Sequence, residues 1–233
     1  MIPADPNLPL LESVARALGP LCERFVFVGG CATGLLVTDP TAAPVRTTRD
    51  VDVVVEVVSL SGYHALERDL AKAGFMQDRS REAPVCRWIV ANCMLDVMPT
   101  DERVLGFGNR WYTAAVQTAE SLRLPSGRSI RLIAPPVFLA TKLEAFRGRG
   151  GGDFLASHDL EDITAVIDGR PQLVDEVRAT EPELRAYLAD EIGSLLQNDA
   201  YRDAVRGHLP GDDISQARVP TIRERLRLLS IRT

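Results

Sequence analysis

Residues 25–58 read FVFVGGCATGLLVTDPTAAPVRTTRDVDVVVEVV. Two apolar runs in this stretch, Phe25–Val28 and Val51–Val58, have the length of strands and lack the alternation of a half-exposed strand. This pattern predicts strands that are covered on both faces. Gly29 and Gly30 follow the first strand and precede a short segment that we expect to be helical. A glycine turn at a helix N-terminus presents backbone N–H groups that suit a phosphate group.

Three carboxylates lie on or beside predicted strands. Asp50 and Asp52 are two residues apart, so they point to the same face of their strand, and Asp96 is the only charge in the apolar run Met94–Met98. Neighbouring carboxylates repel each other unless a positive charge lies between them, and Mg²⁺ or Mn²⁺ takes such oxygen ligands. We therefore predict that Asp50, Asp52 and Asp96 are metal ligands and catalytic residues, able to hold two divalent ions about 4 Å apart. For the first two alone, a solvated strand start is an equally good interpretation.

The rest of the chain divides near Ala134 into an α/β part, residues 1–134, and a helical part, residues 135–233. We expect a mixed sheet in which Val51–Val58 is central and Met94–Met98 lies beside it. A tight turn at Ala91-Asn92 should join that second strand to the one before it. Further strands are predicted at Val85–Val90, Leu122–Leu124 and Ile130–Ile133, and helices at Leu8–Leu18, Cys31–Val37, Gly62–Ala73, Pro136–Phe146, His158–Ile167, Gln172–Ala179, Glu183–His208 and Ile222–Leu229. A flexible glycine loop is predicted at Gly148–Asp153.

The glycine stretch has a second interpretation, as a dinucleotide-binding turn. Such a turn needs the pattern G-x-G-x-x-G after a strand. Here Cys31 occupies the position of the second glycine, where a backbone must approach the pyrophosphate. The ribose-binding acid expected about 20 residues on has two candidates. Asp50 has the spacing but begins its strand, whereas Glu56 is better placed. We retain this interpretation as a minor alternative.

Composition describes an ordinary soluble globular chain, with 233 residues, 45% hydrophobic and 25% charged. The net charge of −5 excludes a basic surface over the whole chain that would attract nucleic acid. Any contact with nucleic acid would have to use a local patch, for which the candidates are Arg147, Arg149 and the basic stretch Arg223 to Arg232. Four cysteines without metal-binding spacing predict buried free thiols in a reducing cytoplasm. We expect no signal peptide and no membrane segment, and hence a cytoplasmic protein.

Lys142 is a candidate for neutralising triphosphate charge. Its neighbours on the predicted helix, three and four residues away, are all apolar: Phe138, Leu139, Ala145 and Phe146. With no carboxylate on that face, we expect an unpaired lysine that can reach an anionic ligand. The alternative is a solvated lysine on an amphipathic helix.

Together these residues resemble the DNA polymerase β-like nucleotidyltransferases. The motifs are Val28-Gly29-Gly30, Arg46-x-Thr48-x-Asp50-x-Asp52, and Asp96 in an apolar strand. The resemblance is closer to the AbiEii-like toxins of type IV toxin–antitoxin systems, because Thr141-Lys142-Leu143 and His158-Asp159-Leu160-Glu161-Asp162 look like later elements of that branch. It covers about residues 26–167.

The resemblance implies an α+β fold, with a small mixed β-sheet flanked by helices and a helical C-terminal half that closes over the cleft. It implies transfer of a nucleoside monophosphate from an NTP to a hydroxyl acceptor with Mg²⁺ or Mn²⁺. Asp50 and Asp52 would ligate both ions, and Asp96 would ligate the one that activates the hydroxyl. The nucleotide-binding residues would be Gly29, Gly30, Arg46, Thr48 and Lys142.

The resemblance to the AbiEii-like toxins implies the tRNA 3′ end as acceptor and a cognate antitoxin protein as partner. Small-molecule (antibiotic-type) or protein nucleotidyltransferases, and a nucleotide-binding module without turnover, are the alternatives.

Overall fold

A valine-rich strand lies at the centre of a mixed sheet in the computed structural model, which describes residues 5–149 and 152–232. In that part of the chain the strands are Phe25–Val28 (β1), Asp50–Val55 (β2), Met76–Gln77 (β3), Arg87–Val90 (β4), Cys93–Pro99 (β5), Glu120–Arg123 (β6) and Ser129–Leu132 (β7). Their order across the sheet is β3-β4-β5-β2-β1-β7-β6. The predicted central strand and its predicted neighbour, β5, are therefore confirmed.

The register of the strands brings particular residues side by side. β2 runs parallel to β5 with Asp52 opposite Asp96, and antiparallel to β1 with Val28 opposite Asp52. β4 runs antiparallel to β5 with Arg87 opposite Asp96. Directly opposed residues in a sheet project from the same face, so two aspartates and an arginine from three strands lie next to one another.

The chain falls into two compact units. The sheet unit consists of residues 6–32 and 47–134, and its helices are Leu8–Leu18 (α1), the first residues of Gly29–Leu36 (α2), Leu60–Lys72 (α3) and Tyr112–Gln117 (α4). α1 and α4 pack against β2. Val51 and Val53 of that strand are fully buried, whereas the alternating Asp50 and Asp52 are half-buried. The apolar face thus fixes the strand and leaves the carboxylates on the other face.

The helical unit comprises residues from 135 onward together with residues 33–46. Its helices after the second strand hairpin are Pro135–Arg149 (α5), His158–Gly169 (α6), Leu173–Arg178 (α7), Pro182–Leu196 (α8), Asp199–Ala204 (α9), Asp213–Gln216 (α10) and Val219–Leu229 (α11). α5 and α11 each pack against α6, α7 and α8. Val37 and Ala42 of residues 33–46 pack against Gly169 of α6. The domain boundary near Ala134 stays a prediction.

Several boundaries differ from those predicted. The predicted helix Glu183–His208 is divided into α8, α9 and a 3-10 turn at Val205–His208. The division has a local cause, since the Asn198 side chain accepts a hydrogen bond from the Ala200 N–H and starts a new helix there. The predicted glycine loop also begins later, because α5 continues through Arg149. Gly150 and Gly151 of that loop lie outside the described residues.

The cysteines are all free, with Cys22, Cys31 and Cys86 buried and Cys93 half-buried. Among the described residues, none of the helices has the length and apolar character required to span a bilayer.

Candidate active site

Four charged side chains occupy one face of the sheet: Asp50 and Asp52 from β2, Asp96 from β5 and Arg87 from β4. They are adjacent because of the strand register described above. The three aspartates were predicted from the sequence and the structure brings them to one face. Arg87 was not predicted.

Arg87 binds two of the aspartates at once. Its Nε and Nη2 donate to the two oxygens of Asp96 at 2.8 and 2.7 Å, and Nη2 also donates to Asp50 Oδ2 at 3.1 Å. A planar guanidinium matches a carboxylate in this two-point arrangement. Hydrogen bonding to Asp96 raises the pKa of Arg87, so the guanidinium is charged at every accessible pH. Because two oxygens share one nitrogen, Asp50 Oδ2 and Asp96 Oδ2 are at most about 6 Å apart.

Asp52 lies against the glycine turn. Gly29 has φ +68°, a left-handed conformation that favours glycine. A Cβ added at this residue would lie only 2.6 Å from Cγ and 2.7 Å from Cβ of Asp52. The absence of a side chain at Gly29 therefore lets the Asp52 carboxylate pack beside the first turn of α2. That helix begins at Gly29 and Gly30, two residues before the predicted start.

Thr48 orients the remaining carboxylate. Its hydroxyl donates to Asp50 Oδ1 at 2.9 Å, and its backbone N–H donates to the buried Asn7 side chain at 2.8 Å. Asn7 thus fixes the loop that enters β2. Thr48 was predicted to bind nucleotide, and this role stays a prediction.

The oxygens of Asp50 and Asp96 already accept hydrogen bonds from the protein. Each oxygen of Asp96 and of Asp50 accepts one hydrogen bond, Asp96 from Arg87 alone and Asp50 from Arg87 and Thr48, which leaves lone pairs on all four oxygens. Within the described residues, no group of three or more His, Cys, Asp or Glu side chains is arranged to hold a metal ion. Asp96 differs from Asp50 in that a single guanidinium binds both of its oxygens, so an ion ligated by Asp96 would have to share them with Arg87. Metal binding by Asp50, Asp52 and Asp96 stays a prediction.

Lys142 belongs to a different cluster, in the helical unit. Its Nζ lies 2.7 Å from Asp162 Oδ2 and 3.1 Å from Asp159 Oδ1, both on α6. Arg46 Nε and Nη2 donate to the two oxygens of Asp162 at 2.8 and 2.9 Å. The Lys142 side chain is 8% exposed and that of Asp162 is 1% exposed. The expectation of an unpaired lysine is therefore wrong, because the carboxylates come from a neighbouring helix. Nucleotide binding by Arg46 and Lys142 stays a prediction.

Asp162 is ionised in this cluster. Burial favours its neutral form, but the charges of Lys142 and Arg46 outweigh it and hold the pKa of Asp162 below its usual range. A carboxyl group such as that of Asp162, whose pKa is lower in the folded than in the unfolded chain, stabilises the fold. The stabilisation is fully present above the unfolded-state pKa of about 4. It is lost as the pH falls through the lower, folded-state pKa.

We expect Lys142→Met to lower the free energy of unfolding by about 2–3 kcal/mol, because the buried carboxylate of Asp162 loses one of its two cations and keeps only Arg46. Urea unfolding followed by circular dichroism measures the change. Lys72 is the matched control, since it is the only other lysine in the sequence and its side chain is 78% exposed. Lys72→Met should change stability by less than about 0.5 kcal/mol. Equal unfolding midpoints for Lys142→Met and wild type would contradict the buried-cluster interpretation.

A surface depression of about 460 Å³ is lined by Glu12, Arg16, Ser126, Gly127 and Arg128. It shares no residue with the carboxylate face. Its lining carries no group predicted to act on a nucleotide, so the carboxylate face is the better candidate site.

Comparison with solved structures gives the fold. The chain resembles an antigenic nucleotidyltransferase-like protein from Paracoccidioides brasiliensis, with a TM-score of 0.51 and 20% identity over 88% of this chain and 94% of the other. It also resembles the antibiotic-resistance factor ANT(2'')-Ia, with a TM-score of 0.47 and 14% identity over 82% of this chain and 95% of the other. A third similar structure is JHP933 from Helicobacter pylori, with a TM-score of 0.46 and 11% identity over 95% of this chain and 89% of the other.

No protein-family model matches the chain. No curated protein matches it either. The fold is therefore shown by structural likeness: a nucleotidyltransferase-type mixed sheet flanked by helices, followed by a helical C-terminal half.

Proposed function

We propose that this chain is a metal-dependent nucleotidyltransferase that moves a nucleoside monophosphate from an NTP to a hydroxyl acceptor. The observation that carries the proposal is the carboxylate face: Asp50, Asp52 and Asp96 lie together on adjacent strands, with Asp52 packed against the glycine turn. This arrangement occurs in a chain with a nucleotidyltransferase-type fold.

The proposed transfer exchanges one phosphorus–oxygen bond for another. The acceptor hydroxyl oxygen forms a bond to the α-phosphorus, the bond from that phosphorus to the oxygen bridging to the β-phosphate breaks, and pyrophosphate leaves. The hydroxyl proton passes to a carboxylate, for which Asp96 is our candidate. Mg²⁺ held by Asp50 and Asp52 would supply charge neutralisation for the phosphates. Gly29 and Gly30 would contribute backbone N–H groups, and Thr48 keeps the Asp50 carboxylate oriented.

For the acceptor, we propose the tRNA 3′ end, on the basis of the resemblance to AbiEii-like toxins, with a cognate antitoxin as partner. The arginines of residues 223–232 contact other groups of the chain. Arg223 and Arg225 donate to backbone carbonyl groups, Arg227 pairs with Glu224, and Arg232 pairs with Asp190. These contacts offset part of the positive charge of that stretch.

Transfer of label is the direct test. The purified chain is incubated with Mg²⁺ and each α-labelled NTP in the presence of total tRNA, cell protein or an aminoglycoside. We expect label on tRNA with release of pyrophosphate, and no transfer in EDTA. tRNA whose terminal ribose has been oxidised with periodate is the matched control acceptor, because it lacks the 3′-hydroxyl. Label on an aminoglycoside or on protein would retain the enzyme class and reject the tRNA acceptor. NTP binding without pyrophosphate release with any acceptor would reject turnover.

A further inference from the structure

The guanidinium of Arg87 occupies the space between Asp50 and Asp96. Three charge-assisted hydrogen bonds of 2.7–3.1 Å join it to both carboxylates. The side chains of Arg87 and Asp96 are only 19% and 11% exposed. Bonds to ionised partners in a site with little water are strong, so this contact is a fixed part of the face.

The position of Arg87 follows from the backbone. The two-residue turn at Ala91 and Asn92, which have φ +47° and +64°, joins β4 to β5 and sets Arg87 opposite Asp96. Side chains of opposed residues in an antiparallel pair lie on the same face, so Arg87 reaches Asp96 without leaving its own strand. The strand register therefore fixes the position of Arg87 on this face in the same way as it fixes the positions of the carboxylates.

Arg87 Nη2 lies where an ion that bridged Asp50 and Asp96 would lie. It is 3.1 Å from Asp50 Oδ2 and 2.7 Å from Asp96 Oδ2, so such an ion would have to displace it. Three carboxylates and one guanidinium give the four side chains a combined formal charge of −2 at neutral pH. One divalent ion neutralises the side chains, and the phosphates of a bound NTP add negative charge of their own.

We propose that Arg87 takes the place of one of the two divalent ions, so that this site works with a single ion held by Asp50 and Asp52 and a resident guanidinium on Asp96. The inference rests on the proposed function and goes beyond it, because it assigns Arg87 as a positioning residue and fixes the number of ions. The guanidinium holds the Asp96 carboxylate in place and supplies a positive charge beside the acceptor hydroxyl, which a metal ion would otherwise supply.

Electron paramagnetic resonance of Mn²⁺ counts the ions directly. The full chain is saturated with a non-hydrolysable NTP analogue and titrated with Mn²⁺, and the nucleotide alone provides the blank. Two Mn²⁺ ions about 4 Å apart give a spin-coupled spectrum, whereas a single ion does not. We expect one bound ion per wild-type chain and no coupled signal. A coupled pair in the wild type would overturn the inference and leave the proposed function intact.

Substitution of Arg87 provides the second measurement. Arg87→Met frees Asp96, so we expect a coupled Mn²⁺ pair to form and transfer to regain rate as Mg²⁺ is raised into the millimolar range, with a second-order dependence on Mg²⁺. Arg87→Lys retains a cation and should keep a single ion. Arg81→Met, at an exposed residue of the same unit, is the control and should behave as wild type.

The outcomes separate the two proposals. A single ion and an unchanged first-order Mg²⁺ dependence in Arg87→Met would show that Arg87 does not exclude an ion, which overturns the inference. A Mn²⁺ count and spectrum that do not change when both Asp50 and Asp52 are replaced would overturn both the inference and the metal-dependent function, because the remaining ion is then the one that the nucleotide binds by itself. If Arg87→Met does not fold, the ion count in the wild type and in Arg87→Lys still decides the question.

Discussion

Asp52→Ala and Asp50→Asn are each expected to lower the rate of nucleotidyl transfer by more than about 100-fold. Each change removes a carboxylate from the face on which we place the metal ion, and electrostatic stabilisation of the phosphates carries much of the barrier reduction in such transfers. Initial rates of label transfer with the identified acceptor measure the effect. Unfolding curves establish that the loss is chemical, since both aspartates are half-buried and their loss leaves the apolar face of β2 unchanged.

Glu56→Gln is the matched control. Glu56 follows β2 directly, is exposed and lies outside the carboxylate cluster, so transfer should stay within about twofold of wild type. It is also the acid on which the dinucleotide-binding alternative depends. Loss of function in Glu56→Gln with full activity in Asp50→Asn and Asp52→Ala would favour that alternative and reject the metal site.

Gly29→Ala is expected to lower the free energy of unfolding by about 3 kcal/mol and to reduce transfer more than about 100-fold. Two effects combine. Alanine is strained at φ +68°, and its Cβ would lie 2.7 Å from the Cβ of Asp52, so the carboxylate or the turn has to move. Urea unfolding gives the first effect and initial rates give the second.

Gly74→Ala separates the two effects. Gly74 has φ +89°, and a Cβ there would meet nothing within 4 Å. It should show only the conformational cost, about 1 kcal/mol, with normal transfer. Equal losses of stability in the two variants, together with normal transfer in Gly29→Ala, would show that Asp52 is not held by the glycine turn.

The sheet could be predicted because its strands carry strong local signals. β1 and β2 are apolar runs bounded by glycine and by a polar loop, and the carboxylates of β2 alternate with fully buried valines. The broken helix around Asn198 was missed because its side-chain cap competes with the backbone, an effect that hydrophobic spacing does not report.

Arg87 could have been found from the sequence. The predicted turn at Ala91-Asn92 has two residues, and counting back from it pairs Val90 with Cys93 and therefore Arg87 with Asp96. The partners of Lys142 could not be found in this way. Asp159 and Asp162 come from another helix, and contacts between helices depend on packing angles that the spacing along either helix does not specify.

The turn at Ala91 and Asn92 makes the chemistry of this face depend on loop length. Side chains in a strand alternate between faces, so a slip of β4 by one residue would remove Arg87 from the carboxylate face and set Cys86 or Trp88 opposite Asp96. A one-residue insertion or deletion in this turn would therefore act as a charge substitution, although it changes no charged residue. Relatives that share the three aspartates and differ in the length of this turn would then differ in how many ions they need.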